Sequence, residues 1–296
     1  MTLASNPRAV VTGGGSGIGR ALCVALAKRG GRVLVADLNL ATAEETAEMV
    51  RAAGGKAAAV QCDVAKREAV FALPGLMTEH FGGTDAVFNN AGVAVSGPVA
   101  EIPIADWDWL MSINLGGVID GCLAFLPVLR AQRSGHIVNV ASAAGLIASP
   151  TLAPYNVSKA GVVALSESLS VELGADGIGV SVLCPTFIRT NIHLRGRSYG
   201  KGAKENAELV MARAKKSADE IAEITLRAVD KNQLFIVPHD DGLWAWRAKR
   251  ADPEGFYKRI LPPIWKRMRE RIERGETDPP GGFLSELLGR FRKRDS

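Results

Sequence analysis

The sequence predicts an α/β domain in which a parallel, doubly wound sheet carries helices on both faces. Three observations lead there. Short β-branched runs alternate with longer amphipathic stretches along most of the chain, the order that parallel strands joined by crossover helices require. The strand candidates, among them RAVVT, RVLVAD and GHIVNVAS, are almost continuously apolar, as strands covered on both faces are. The first strand runs directly into the loop VTGGGSGIGR, so poor in side chains that its backbone amides can approach a ligand closely, most commonly a phosphate at a helix N-terminus.

Taken in order, RAVVT is the first strand, and a helix from Ile18 to Arg29 follows it, stopped by Gly30 and Gly31. RVLVAD is the second strand, with a helix through ATAEETAEMVRAAGG. Strand AAAVQCDV, helix KREAVFALPGLMTEHFGG and strand DAVFNNAG come next. A long helix is expected around ADWDWLMSINLGGVIDGCLAFLPVLR, with Trp107 and Trp109 packing it against its neighbour. Strand GHIVNVAS, helix APYNVSKAGVVALSESLSVELG and strand GVSVLCP lead into a polar irregular segment. Helix ADEIAEITLRAVDK and strand LFIVP complete the set. The expected organisation is one catalytic domain over residues 1–240 and a basic, amphipathic, helical extension over 241–296. In PPIWKRMRERIERG a helix opened by Pro263 puts Ile264, Trp265, Met268 and Ile272 on one stripe. FLSELLGRFRKR repeats the theme with Phe283, Leu284, Leu287, Leu288 and Phe291. Such faces dock on the catalytic domain or on a partner subunit; peripheral contact with an anionic membrane is the less favoured alternative.

Composition narrows the function classes. With 47% hydrophobic and 23% charged residues the chain is globular material, not a disordered one. Cys23, Cys62, Cys122 and Cys184 stand singly, without metal-ligand spacing, which reads as buried thiols in a reducing compartment and no metal. The N-terminus shows no charged leader before an apolar run, and no window approaches the roughly 20 apolar residues of a membrane span, so a cytoplasmic location is expected. The net charge of +5 arises entirely from Asp241 onward, where there are 14 Lys and Arg against 9 Asp and Glu, and the rest of the chain holds 22 of each. A basic face in the folded domain is therefore not expected, and nucleic acid is not an expected partner.

The glycine loop separates two kinds of phosphate binder. Gly14 to Gly19 fits the start of a P-loop, but Arg20 and Ala21 stand where that loop needs Lys and Ser or Thr. What the loop does spell is T-G-x-x-x-G-x-G, from Thr12 to Gly19. With this motif and the strand and helix order, the chain from about Arg8 to Pro238 resembles the short-chain dehydrogenase/reductase family. That implies a Rossmann-type sheet, a nicotinamide dinucleotide, and cofactor contacts from Gly13, Ser16, Gly17, Ile18 and Gly19. Asp37 ends the second strand, where a carboxylate can accept hydrogen bonds from ribose hydroxyls and repel a 2′-phosphate. NAD is therefore expected over NADP, and Ser16 and Leu38 stand where phosphate-binding relatives often carry Arg or Lys. By the same resemblance Asp63 and Val64 contact the adenine, Asn90, Ala91 and Gly92 of NNAG form a turn under the cofactor, and Pro185 and Thr190 lie near the nicotinamide. Thr186 departs from the family, which commonly has Gly there.

Tyr155 and Lys159 are four apart on one helix face. An ammonium beside a phenol favours the phenolate, which makes Tyr155 a candidate acid/base. The resemblance gives Lys159 a second task at the nicotinamide ribose, makes Ser142 the residue that polarises the substrate oxygen, and makes Asn114 the anchor of a proton-relaying water. The implied reaction is hydride transfer between NAD(H) and a secondary alcohol or ketone. Val93, Val95, Leu146, Ile147, Leu152 and Phe187 are expected to wall a largely apolar substrate pocket, under a lid formed by Asn191 to Met211. The family implies a homodimer or homotetramer. A non-catalytic dinucleotide-binding sensor or scaffold acting through its tail is the alternative, and it would not need Ser142, Tyr155 and Lys159 together.

Overall fold

Seven strands make one all-parallel sheet: β1 (Arg8–Thr12), β2 (Arg32–Asp37), β3 (Lys56–Gln61), β4 (Ala86–Asn89), β6 (Gly135–Val140), β7 (Ile178–Leu183) and β9 (Phe235–Ile236). The computed structural model describes residues 3, 5–188, 196–200, 214 and 216–274. The spatial order is β3-β2-β1-β4-β6-β7-β9, so the chain winds outward from β1 in one direction and then from β4 in the other. Between β1 and β4 the winding reverses, and a crevice opens at the carboxyl ends of the strands. Val10, Val11, Val33, Leu34, Val35 and Phe88 are fully buried, as strands sandwiched between helical layers must be.

Helices α1 (Gly17–Ala27), α2 (Leu40–Ala52), α3 (Arg67–Phe81), α5 (Gly117–Gln132), α7 (Ala153–Glu172) and α8 (Ala218–Asp230) cover the two faces. The Asn39 side chain caps α2 by accepting from the Ala41 and Thr42 amides, and Ser217 with Glu220 forms a capping box on α8. The long helix expected from ADWDWLM to PVLR is interrupted: α4 (Ile104–Met111) and α5 are separated by a π turn over Ser112–Gly116. Against the expectation from sequence, the stretch Ile104–Gln132 is long and apolar enough to cross a membrane, its most apolar 18 residues having a mean hydropathy of 1.6, but half of those residues are buried inside the protein. Its apolar character therefore belongs to the core.

A small pair went unanticipated: β5 (Val95–Ser96) lies parallel to β8 (Arg197–Ser198), inside the segment expected to be a lid. Residues 191–195 and 201–211 of that segment lie outside the described residues. The extension begins with α9 (Asp240–Ala251) and continues through a π turn at Phe256–Ile260 into α10 (Leu261–Glu273). Ala245, Phe256 and Leu261 are buried in the same core cluster as Val10 and Val87, so this part docks on its own domain. The side chains of Ile264, Met268 and Ile272, and the whole stripe from Phe283 to Phe291, lie outside the described residues.

Candidate active site

At the carboxyl end of β1 the glycines serve two purposes. Gly13 and Gly17 have φ of +63° and +52°, the left-handed region that only glycine enters without strain. A Cβ on Gly13 would stand 2.9 Å from Ala91 Cα, so this glycine also lets the loop close on the NNAG turn. Gly19 packs against the Gly13 carbonyl from behind and does not line the crevice. The turn is fastened through Thr12, whose hydroxyl accepts from the Asn90 and Ala91 amides at 3.0 and 3.2 Å, while Asn90 Nδ2 donates to Thr12 O at 2.8 Å. Thr12 had been read only as a motif letter. Asn89, by contrast, points into the sheet and donates to Asn139 Oδ1 at 2.9 Å.

The first turn of α1 is left open. Helix geometry gives its leading amides no intrahelical partner, Ser16 makes no side-chain cap bond, and no acidic residue stands in the turn. An anion is the natural complement. Further along, the Asp37 carboxylate accepts from the Gly15 amide at 2.9 Å and the Asn39 amide at 3.0 Å. These bonds fix its orientation at the rim while it also lines the cavity. The capping of α2 falls to Asn39.

That cavity has a volume of about 430 Å³. Gly13, Ser16, Gly17, Ile18 and Asp37 line one end, with Asp63, Val64, Asn90, Ala91 and Gly92 beside them. Ser142, Tyr155, Lys159 and Pro185 line the other. Leu38, Cys62, Trp109, Ile113, Thr186 and Ile188 line it as well; Leu38, Cys62, Ile113 and Thr186 each adjoin an expected site residue, Asp37, Asp63, Asn114 and Pro185, whereas Trp109 and Ile188 do not. Among the expected walls Val93 lines the cavity, whereas Val95, Leu146 and Ile147 are buried in the core. Leu152 and Phe187 are half-buried outside the lining, and Thr190 lies outside the described residues.

Ser142 follows β6 and is the N-cap of the one-turn helix α6 (Ala143–Leu146); its hydroxyl accepts from the Ala144 amide at 3.2 Å and donates to Pro185 O at 3.3 Å. Tyr155 and Lys159 sit in the first two turns of α7, which opens with Pro154. Lys159 Nζ donates to Val140 O at 2.8 Å and lies 5.8 Å from the centre of the Tyr155 ring. Burial brings the Lys159 ammonium down to about 8. Burial raises the Tyr155 phenol above its ordinary value, and a hydrogen bond with Ser142 draws it part of the way back. The sequence suggests a phenol acidified by the lysine; here desolvation sets the direction, because a charge on the phenol would lie in a poorly solvated pocket, and the lowering influence is the Ser142 hydrogen bond.

Asn114 is fully buried in the π turn behind the cavity wall. Its Oδ1 accepts from Val93 N at 2.8 Å, and its Nδ2 donates to Val93 O at 2.9 Å and to Ser158 Oγ at 3.3 Å. Among the described residues no group of three or more His, Cys, Asp or Glu side chains could hold a metal ion.

Residues 7–198 match the family described as short chain dehydrogenase. The chain is 35% identical over 232 residues to the probable oxidoreductase EphD of Mycobacterium tuberculosis, covering 75% of this chain but only 39% of that one. It is 31% identical over 288 residues to the C alpha-dehydrogenase of Sphingobium sp. strain SYK-6, covering 89% and 94% of the two chains. A short chain dehydrogenase/reductase from Burkholderia phymatum, solved in complex with NAD, superposes with a TM-score of 0.77 at 34% identity, covering 83% of this chain and 93% of that one. The chain belongs to the short-chain dehydrogenase/reductase family of oxidoreductases.

Proposed function

We propose that the protein transfers hydride between NAD(H) and a secondary alcohol or ketone. The observation that carries this reading is the convergence of an open helix N-terminus, an oriented Asp37 and the Ser142, Tyr155 and Lys159 set on one cavity. The residues fit a nicotinamide dinucleotide from end to end. The uncapped turn of α1 with Gly13 and Gly17 would hold the pyrophosphate, Asp37 the adenosine ribose, Asp63 and Val64 the adenine, and Lys159 the nicotinamide ribose. Asp37 repels a 2′-phosphate, which favours NAD over NADP. Bound there, the nicotinamide supplies or accepts the hydride at the carbinol carbon.

In the reducing direction Tyr155 gives its proton to the substrate oxygen, and the Lys159 ammonium stabilises the phenolate that results. Ser142 holds the substrate oxygen against Tyr155. Oxidation runs the same transfers backwards. Asn114, with both side-chain polar atoms engaged, positions Val93 and the π turn beside this set. Val93, Trp109, Ile113 and Ile188 favour a largely apolar small-molecule substrate. Four buried thiols without disulfides suit a cytoplasmic enzyme. Exposed Leu123 on α5 with Val157 and Val171 on α7 suit a homodimer or homotetramer.

A panel of secondary alcohols and ketones, followed by nicotinamide absorbance with NAD(H) and NADP(H), tests the reaction. Tyr155→Phe is expected to lower kcat by about 100-fold or more with dinucleotide affinity within a few fold, because the ring still packs and only the hydroxyl is lost. Half of the wild-type rate remaining in that variant would defeat the assignment, and a chain that binds NAD but turns over nothing would be a sensor.

A further inference from the structure

Ser142, on the cavity wall, sits between two edges of the site. One, the single turn α6 and the residues after it, stands behind the wall; the other, Pro185–Thr186, lines it, and its first carbonyl accepts the Ser142 hydroxyl. A four-residue helix does not hold itself in water, since nucleating one turn fixes several backbone angles for a single hydrogen bond. Both edges need an external grip, and the structure supplies it from the far end of the chain.

Three polar contacts do this. Lys249 Nζ, on α9, donates to Leu146 O at 2.7 Å, holding the carbonyl end of α6. The Tyr257 hydroxyl accepts from the Ala148 amide at 3.1 Å, two residues further on. On the other edge His239 Nδ1 accepts from the Thr186 amide at 3.3 Å. Between them Gly242 touches both edges: a Cβ there would stand 2.8 Å from Thr186 Cγ2 and 3.8 Å from Ala143 Cβ. The grip is anchored, because Ala245 and Phe256 are completely buried and Phe235 packs at a tilt against Trp246 with ring centres 4.8 Å apart. The family match stops at residue 198, before these residues begin.

We infer that the start of the C-terminal extension, with the His239 that precedes it, is an internal brace for the reaction end of the cavity, His239, Lys249 and Tyr257 being positioning residues that set the separation of the Ser142–Ala148 and Pro185–Thr186 edges. The inference rests on the reading of this cavity as the oxidoreductase site. The three hydrogen bonds of the brace go to Leu146, Ala148 and Thr186 and not to the glycine loop or Asp37, so loosening it disturbs the reacting end and leaves the dinucleotide's phosphate end alone.

The test uses the full chain with Tyr257→Phe, Lys249→Met, the double variant, and Lys249→Arg as the conservative replacement. Amide hydrogen exchange is measured on the protein without added ligand, beside kcat and dinucleotide KM. In the double variant, exchange over residues 143–149 is expected to quicken by about fivefold or more, the factor one such hydrogen bond is worth, with the glycine-loop peptide unchanged. The kcat should fall by a similar factor of about five while dinucleotide KM stays within about twofold, and Lys249→Arg should recover at least about half of the rate. Unchanged exchange over 143–149 overturns the brace, and so does faster exchange with an unchanged kcat. If the wild-type chain turns over no alcohol or ketone, the functional reading fails on its own. The exchange rates with a fluorescence titration of NADH then decide the brace alone. Should the double variant not fold, Tyr257→Phe, which removes one hydroxyl from a side chain 36% exposed, carries the same comparison.

Discussion

Replacing Asn114 by Ala separates two ways in which this residue could serve the site. Its side chain is completely buried and makes three hydrogen bonds, two of them to the backbone of Val93 at 2.8 and 2.9 Å. Alanine leaves the Val93 amide and carbonyl without these partners. An unsatisfied buried group costs about 1–3 kcal/mol. Val93 is half-buried on a cavity wall that water reaches, so the lower part of that range applies, and the pair together should lose about 2–4 kcal/mol. For a chain of this size that corresponds to a fall in Tm of about 3–6 °C. The loss extends to chemistry, because a Cβ on the neighbouring Gly92 would stand 3.2 Å from Asn114 Oδ1 and 3.5 Å from Lys159 Nζ: the loosened segment adjoins the lysine. Asn114→Asp sharpens the test. It keeps an acceptor for the Val93 amide but sets a second oxygen against the Val93 carbonyl, so it should be no more stable than the alanine variant. Thermal unfolding by circular dichroism, beside kcat, reads both effects. A residue that only held a relay water would lower kcat and leave Tm unchanged; a Tm within about 2 °C of wild type in the alanine variant would therefore refute the bracing role.

Asp37→Ala removes both the ribose acceptor and the repulsion toward a 2′-phosphate, so kcat/KM with NAD should fall while the NAD to NADP preference narrows; a wild-type preference for NADP would overturn the reading of Asp37. Gly15→Ala acts on the same carboxylate from the other side, because a Cβ at Gly15 would lie 2.8 Å from Asp37 Oδ2 and against Thr42. It should weaken NAD by about 10-fold or more with kcat at saturation little changed, and an unaltered dissociation constant in a fluorescence titration would count against the pre-orientation of Asp37. Lys159 gives a pH signature: its folded value near 8 lies below the 10.5 of the free side chain, so the unfolded chain binds more protons between them and stability rises as pH climbs through that window. The handicap is fully present below pH 8, and the stability of Lys159→Met relative to wild type should therefore decline from pH 8 toward pH 10. A difference that stays flat across that range would show that the lysine is not desolvated.

The parts of this protein legible in the sequence are those whose constraint is local. The central strands could be read because burial on both faces leaves each an apolar run, and the glycine loop because positive φ at Gly13 and Gly17 and the close approach to Ala91 admit little else. The spacing of Tyr155 and Lys159 needs only the pitch of one helix. The position of Thr12 between β1 and the NNAG turn shows where such reading thins. The residue stands in the motif, but its three partners, Phe88, Asn90 and Ala91, lie more than seventy residues away and become visible only when β4 pairs with β1.

What stayed hidden depends on partners that no local pattern names. The π turn at Ser112–Gly116 replaced an expected continuous helix, and its sequence, SINLG, is compatible with either. The choice follows from the fit of Asn114 to Val93 and Ser158, and side-chain bonds to a distant backbone leave no periodic trace. The direction of the Tyr155 shift is a second case: sequence places a cation four residues away, while the desolvation that raises the phenol is a property of the assembled pocket. The extension is a third. Its basic helices read as an amphipathic tail in want of a surface, and Arg247 and Arg250 do stay exposed. Yet Ala245 and Phe256 are core residues, and Lys249, charged like its neighbours, turns inward to a single carbonyl on α6. The stripe showed that a face would be covered; only the fold shows that what it covers is the edge of the reaction cavity.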